Sequence, residues 1–485
     1  MVQEVKLVAR TFEVDSVARI SGFDSQDIID GTTNEMKVLS GKAAGVCYMP
    51  DDYFEKGVQD EDKALERAEM TSKSGHHSVF DHGHLTFVIK TNKMMAMILN
   101  SLGVYTTSEK SARYTKMQPE TELELQMYAK WRAKIQELIL AKYPDTDDAE
   151  LRKRFNKWFK TYAGEDQTPP RIENGTFLHC VDDECYKKLY NLNNSDTLPS
   201  MKLAMENARY MISVFTPTTM MYTVSLRQLC LTINYLHNLA INLEHSNEEF
   251  DKKLLPYVKE LELELQAVIG ESAITDNKNQ YIRLLEGQHL GDVIVDKDGK
   301  ETFIPFEDVI TRLVAKETVV GDSYTVVYNG SLAMLAQAQR HRTLRYTMYL
   351  NNKALDKYYV PPIVEDAGLK DEWLKDIESV AYCVPQGTMV RITEQGLFED
   401  FALKCKERMC GRAQLEIMKS TTWLINIFSA NSDKLSYSNK VLLNNITNEV
   451  NGSNMREACA RCKFNDFKCS EGCQWGPNRA LNRLI

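Results

Sequence analysis

One pattern occurs twice in this chain, and it constrains the fold more than any other feature. LTFVIKTNKMMAMILNSLG at 85–103 and SYTVVYNGSLAMLAQAQRHR at 323–342 each begin with strand-like alternation and pass directly into a helical period. The repetition suggests an internal duplication, with a first copy over residues 1–250 and a second over 280–430. Between and beyond them the chain changes character. Residues 118–200 read as a helical insertion, dense in charge, interrupted by YPDTDD and followed by the TPPRIENGT loop. A helical block is expected over 198–266, running into a charged helical linker at 251–279 whose charges suit a solvated face. The D-G pair inside DVIVDKDGKETFIP at 292–305 predicts a hairpin. From 431 to 485 an Asn/Ser-rich tail ends in a group of cysteines.

A chain of 485 residues with 43% hydrophobic and 26% charged residues can bury large cores, which excludes a disordered or disulfide-stapled class. A net charge of −9 argues against a broad nucleic-acid grip but permits local basic pockets. Apolar runs such as MMAMIL are too short to span a bilayer, and MVQEVKLVARTFEVD places charges where a signal peptide has its apolar core. Together with eleven cysteines, an odd number, this predicts a cytoplasmic protein with reduced thiols.

Three clusters could carry chemistry. GHHSVFDHGH at 75–84 combines imidazoles with a carboxylate, without metal-ligand spacing, so a hydrogen-bonded junction is the plainer reading. TTSEKSARY at 106–114 offers hydroxyls, N–H groups and an Arg that suit a phosphate, or simply a polar loop. QAQRHR at 337–342 closes an apolar helix with cations that either cap its C-terminus or meet a ligand. In the tail, Cys459 and Cys462 precede Cys469 and Cys473; four thiolates suit tetrahedral zinc, while uncoordinated thiols and a redox role stay open.

Taken together, GHHSVFDH, LTFVIK and SEKSARYTK resemble the flavin-dependent thymidylate synthase family, whose signature reads R-H-R-x-x-S-x-N-E-x-S-x-R-Y after a G-H-x-S/T-x-x-E/D-H segment. AAGVCY at 43–48 is similar to that family's early strand. RHR at 340–342, YVPP at 359–362 and Arg408 followed by AQLEI at 413–417 extend the resemblance into the second half. The departures are complementary. The first copy has Ser101-Leu102-Gly103 where the signature opens with R-H-R; the second keeps RHR but lacks S-x-R-Y and has VAKETVVG in place of the histidine segment. Arg209 and Arg227 match two family arginines in the first copy, where Leu236 takes the place of a third. The second copy has Ala381, Glu399 and Arg408 at those three places.

The resemblance implies an α+β fold of two tandem modules, each a mainly antiparallel sheet with flanking helices. It also implies reductive methylation of dUMP to dTMP, with FAD as cofactor, methylenetetrahydrofolate as carbon donor and NADPH as reductant. Ser78, Asp81 and Arg227 would hold the nucleotide part of FAD, and Arg340, His341 and Arg342 would surround the flavin ring. Glu109, Ser111, Arg113, Arg209, Gln337 and Arg408 would hold dUMP, with Arg408 and His341 acting in catalysis. Because family sites form at subunit junctions of a tetramer, a homodimer imitating four subunits is expected, with no nucleic-acid or membrane partner. Another flavin-dependent one-carbon transfer to a pyrimidine nucleotide, such as hydroxymethylation, and a non-catalytic nucleotide-binding relative are the rival readings.

Overall fold

The computed structural model describes residues 14–22, 24–46, 60–73, 77–102, 104–110, 119–178, 182–269, 291–295, 301–305, 323–340, 344–349, 357–450, 456–464, 467, 469 and 473–485. In chain order its main elements are α1 (Val14–Ser21), α2 (Ser25–Val46), α3 (Glu61–Lys73), β1 (His84–Asn92), α4 (Lys93–Leu99) and β2 (Thr106–Glu109). They continue with α5 (Glu122–Lys142), α6 (Asp148–Ala163), α7 (Asp183–Asn193), α8 (Pro199–Ala208), β3 (Pro217–Ser225), α9 (Leu226–Glu244) and α10 (Glu249–Ile269). The second half holds β4 (Gly291–Val295), β5 (Glu301–Pro305), β6 (Ser323–Ser331), α11 (Leu332–Ala338), β7 (Arg345–Tyr349), α12 (Pro362–Asp366) and α13 (Lys370–Ser379). It ends with β8 (Met389–Leu397), α14 (Phe398–Arg408), α15 (Leu415–Ala430), α16 (Tyr437–Asn445), β9 (Thr447–Glu449) and β10 (Arg456–Ala458). This is an α+β fold.

Two three-stranded sheets share one topology. In the first the order is β1-β3-β2, and in the second β6-β8-β7, so the last strand of each set lies in the centre. Both pairings onto β8 are antiparallel, with Thr393 opposite Val327 and Thr347, and β2 meets β3 with Thr107 opposite Tyr222. Three of the strands that feed helices end on a residue whose side chain caps the helix. Asn92 accepts from the Met95 N–H (2.9 Å), Ser225 from Gln228 (3.1 Å) and Ser331 from Met334 (3.0 Å). Each cap satisfies an orphan helix donor, worth about 1 kcal/mol, and makes the strand-to-helix switch possible without a loop.

The chain divides into two compact units. One comprises residues 1–91, 98–109 and 219–288. In it α2 and α3 lie against each other so closely that a Cβ at Gly41 would come within 1.8 Å of the Ala64 carbonyl oxygen, so only glycine fits there. The other comprises 92–97, 110–218 and 289–485. Its core is centred on Trp131 and Trp373, fully buried and edge-to-face at 4.8 Å; the Trp131 indole N–H donates to Asp376 (2.9 Å).

Within this second unit a pattern of backbone bonds repeats. The Val214 N–H donates to Val384 (2.9 Å) and the Gln386 N–H to Ile212 (2.8 Å). Lys93 and Met94 donate to Thr216 and Val214; Leu332 and Ala333 donate to Thr388 and Gln386. Each bond has a counterpart in which the residues of the two halves exchange roles, as a local two-fold axis requires.

The expected strand-to-helix passages are present as β1–α4 and β6–α11, as is the hairpin: β4 pairs with β5, Val293 opposite Phe303. The expected helical block at 198–266 is corrected. PTTMMYTVS within it is the central strand β3, whose side chains alternate between exposed and buried along Pro217–Tyr222; β-branched and aromatic residues alternating in burial favour a strand over a helix.

Candidate active site

The predicted site residues gather in two places. In the first unit Ser78 lies exposed on the 3₁₀ turn His77–Asp81. Asp81 at the end of that turn accepts from the Ser225 hydroxyl (2.7 Å) and from the Arg227 guanidinium (2.9 Å). Because Ser225 caps α9 and Arg227 lies in its first turn, the carboxylate is fixed at a helix N-terminus, which favours negative charge. Glu109 closes β2 opposite Met220. The hydroxyl of Ser78 and the guanidinium of Arg227 are donors of the kind that suits a phosphate or ribose.

In the second unit lie Arg209, Gln337 and Arg408, which the sequence separates widely: Arg408 reaches Gln337, and Arg209 acts on Glu416. Arg209 opens the 3₁₀ turn Arg209–Met211 and is almost fully buried. Next to it, Tyr210 donates through its hydroxyl to Glu416 (2.9 Å) and receives the Gln414 amide (2.6 Å). Glu416 in turn accepts the Ser331 N–H (2.7 Å) and hydroxyl (2.6 Å) at the start of α11. Gln337 lies near the end of that helix, and its backbone carbonyl accepts from Arg408 (3.3 Å). Burial raises the pKa of the Glu416 carboxyl, opposed by its bonds to Ser331 and Tyr210 and by the positive charge of Arg209. Burial also pushes the Tyr210 hydroxyl well above its ordinary range, with Glu416 adding to the effect.

The side-chain oxygen of Gln337 is buried without a hydrogen-bond partner in the protein, and so is that of Gln414. Leaving a buried acceptor unpaired costs about 1–3 kcal/mol, a cost that a ligand N–H would relieve. Nearby, Arg340 is exposed just after α11, and the Gln339 amide donates to the Met97 carbonyl (3.1 Å), which ties α11 to α4. Ser111, Arg113, His341 and Arg342 lie outside the described residues.

Sequence reasoning gave no role to Tyr210, Gln414 or Glu416, the polar frame that joins Arg209 to α11. Their signal was a Gln and a Glu flanking Leu415 at the head of an apolar helix, where buried polar side chains need partners.

Of the four cysteines in the expected thiol set, Cys459 lies apart from the other three. Cys459 is buried and its thiol lies 3.6 Å from the Ile446 carbonyl, with burial raising its pKa to about 11. Cys462, Cys469 and Cys473 line a cavity, and the fourth cysteine there is Cys410. Among the described residues no three His, Cys, Asp or Glu side chains stand at metal-binding spacing. None of the nine described cysteines is in a disulfide. No described helix is long and apolar enough to cross a membrane.

Comparison with known proteins adds one match. Residues 28–240 fit the family model Thy1, described as thymidylate synthase complementing protein. No curated protein matches the chain. The matched span, less than half of the chain, contains the Asp81–Arg227 pair and Arg209, and over residues 28–240 the chain is similar to that family of thymidylate synthase complementing proteins.

Proposed function

We propose that the chain is a flavin-dependent thymidylate synthase that converts dUMP to dTMP, with methylenetetrahydrofolate as carbon donor and NADPH as reductant. It is read as two diverged copies fused in tandem: 1–250 with an insertion near 118–200, a helical linker at 251–279, and 280–430, followed by the tail at 431–485. The observation that supports the reading is that one helix, α11, meets Arg408 at Gln337 and, through Ser331 and Glu416, the residue next to Arg209. Equal sheet orders and the two-fold exchange of backbone bonds support the duplication.

On this reading the dUMP phosphate is held by Ser111, Arg113 and Arg209, with Glu109 beside them. The unpaired Gln337 oxygen accepts from the uracil ring, and Arg408 stabilises negative charge developing on its carbonyl oxygens, which makes C5 a better nucleophile. FAD supplies the redox chemistry. Ser78 and Arg227 would donate to its nucleotide part, with Asp81 holding Arg227, and Arg340, His341 and Arg342 are assigned to the ring, with His341 assigned to move a proton. The protein is cytoplasmic and works as a homodimer whose four modules imitate a tetramer.

The test is a visible spectrum of the purified full-length chain, followed by tritium release from 5-tritiated dUMP with the folate and NADPH. Bound flavin with dUMP-dependent release and dTMP as product is the expected result. A hydroxymethylated product would replace the reaction with its closest rival, and bound flavin or dUMP without release would make the chain a binding protein.

A further inference from the structure

The cavity lined by Cys410, Cys462, Cys469 and Cys473 lies in the second unit and has no part in the proposed chemistry. Two turns carry two of its cysteines to the same cavity. Cys410 follows α14 in a turn closed by the Ala413 N–H on the Cys410 carbonyl (2.9 Å), and Cys462 rides on the 3₁₀ turn Arg461–Lys463. The two turns are joined by the Arg461 N–H, which donates to the Met409 carbonyl (2.6 Å). Between them the backbone passes very close to a third thiol. A Cβ at Gly411 would lie 3.1 Å from Cys473 Sγ and 2.8 Å from Trp475 Cδ1, so any side chain there would require Trp475 to shift and Cys473 to give slightly. Arg412 and Arg461 stand in the walls, and their charges would offset the net negative charge of a divalent ion bound by four thiolates. Cys462 feels Cys473, Cys469 and Cys410 electrostatically, after the larger effect of its own burial. Cys459, by contrast, is turned to Ile446.

We propose that Cys410, Cys462, Cys469 and Cys473 form a tetrathiolate site for zinc or a zinc-like divalent ion, which fastens the C-terminal tail to the end of α14. Cys410 completes the set that sequence spacing alone would complete with Cys459. At about 310 Å³ the cavity is larger than an ion needs, and its sulfurs do not yet stand at ligand spacing. Zn–S bonds of about 2.3 Å therefore require the walls to close on the ion, with each thiol that is still protonated releasing its proton as it binds.

The test uses the full-length chain, purified without chelator and analysed for zinc, then reloaded with Co²⁺. One zinc per chain and a tetrathiolate cobalt spectrum are expected. Cys410→Ser and Cys473→Ser should each weaken zinc binding at least tenfold, and Cys459→Ser should leave it intact. Differential alkylation of the wild-type chain covers the case in which a variant fails to fold. Removing the metal should expose Cys410, Cys462, Cys469 and Cys473 to reagent and leave Cys459 unchanged. No bound zinc after reloading, a disulfide between any two of the four, or zinc lost in Cys459→Ser but kept in Cys410→Ser would each overturn the proposal.

Discussion

The sheet β1-β3-β2 with α9 and the sheet β6-β8-β7 with α14 follow the same path and carry different chemistry. Arg209 and Ala381 each open a three-residue 3₁₀ turn before the central strand. Arg227 and Glu399 are each the second residue of the helix that follows, and Leu236 and Arg408 are each the eleventh. Interior positions diverge as well. Tyr222 on β3 and Thr232 on α9 correspond to Glu394 on β8 and Lys404 on α14, a neutral pair in one place and an ion pair in the other. One backbone thus tolerates two polar solutions, and at the three sequence-predicted arginine positions the cations are divided between the halves.

The largest expected effect tests the interior pair. Lys404 and Glu394 are fully buried 2.6 Å apart, and Glu394 also accepts the hydroxyls of Tyr324 and Tyr328 at 2.7 Å each. Lys404→Met leaves a buried carboxylate without its cation and should cost about 3–5 kcal/mol in urea unfolding. Thr232→Ser at the corresponding place removes only a methyl group, about 1 kcal/mol. Similar losses for both would break the contrast.

Next comes Arg408→Ala, expected to lower kcat/KM for dUMP by about 100- to 1000-fold if its guanidinium meets charge that grows toward the transition state. Glu399→Ala, exposed on the same helix, should leave turnover within about twofold. In the other half the order reverses. Arg227→Ala should weaken flavin binding about tenfold, measured by fluorescence titration, since it removes one charge-assisted contact and releases Asp81. Glu399→Ala should not change it.

Much of this contrast was legible in the sequence, for physical reasons. A change of period from two to 3.6 marks β1–α4 and β6–α11 because strand and helix bury different sets of positions. The central strand β3 was not legible. Its nine residues stand between helices, and MMYT within it fits a buried helical face as well as a strand until pairing with β2 decides. Arg209, Gln337 and Arg408 could be picked out only through motif resemblance. The frame of Tyr210, Gln414 and Glu416 beside Arg209 is long-range, with no local spacing to reveal it. The same holds for Cys410, which lies some fifty residues before the tail cysteines it joins.

The smallest effect concerns a half-buried cluster that contrasts with the fully buried pair. Lys130 and Lys134 on α5 bond Glu372 on α13, and these bonds hold the Glu372 carboxyl below its ordinary pKa. A carboxyl lowered in the fold adds stability above its unfolded pKa, about 4.3, and that contribution fades as pH falls through the folded value. Glu372→Gln should therefore cost below about 1 kcal/mol at pH 7, less in high salt, and its thermal midpoint should approach that of the parent as pH falls below the usual carboxylate range.

The central claim is that the two halves complete one nucleotide site between them, with Arg209 from one and Arg408 from the other. Counting bound dUMP by equilibrium dialysis against the flavin-loaded full-length protein tests it most directly. The account predicts one dUMP per chain, lost in Arg209→Ala and weakened at least tenfold in Arg408→Ala. Two dUMP per chain, or one that survives both substitutions unchanged, would contradict it.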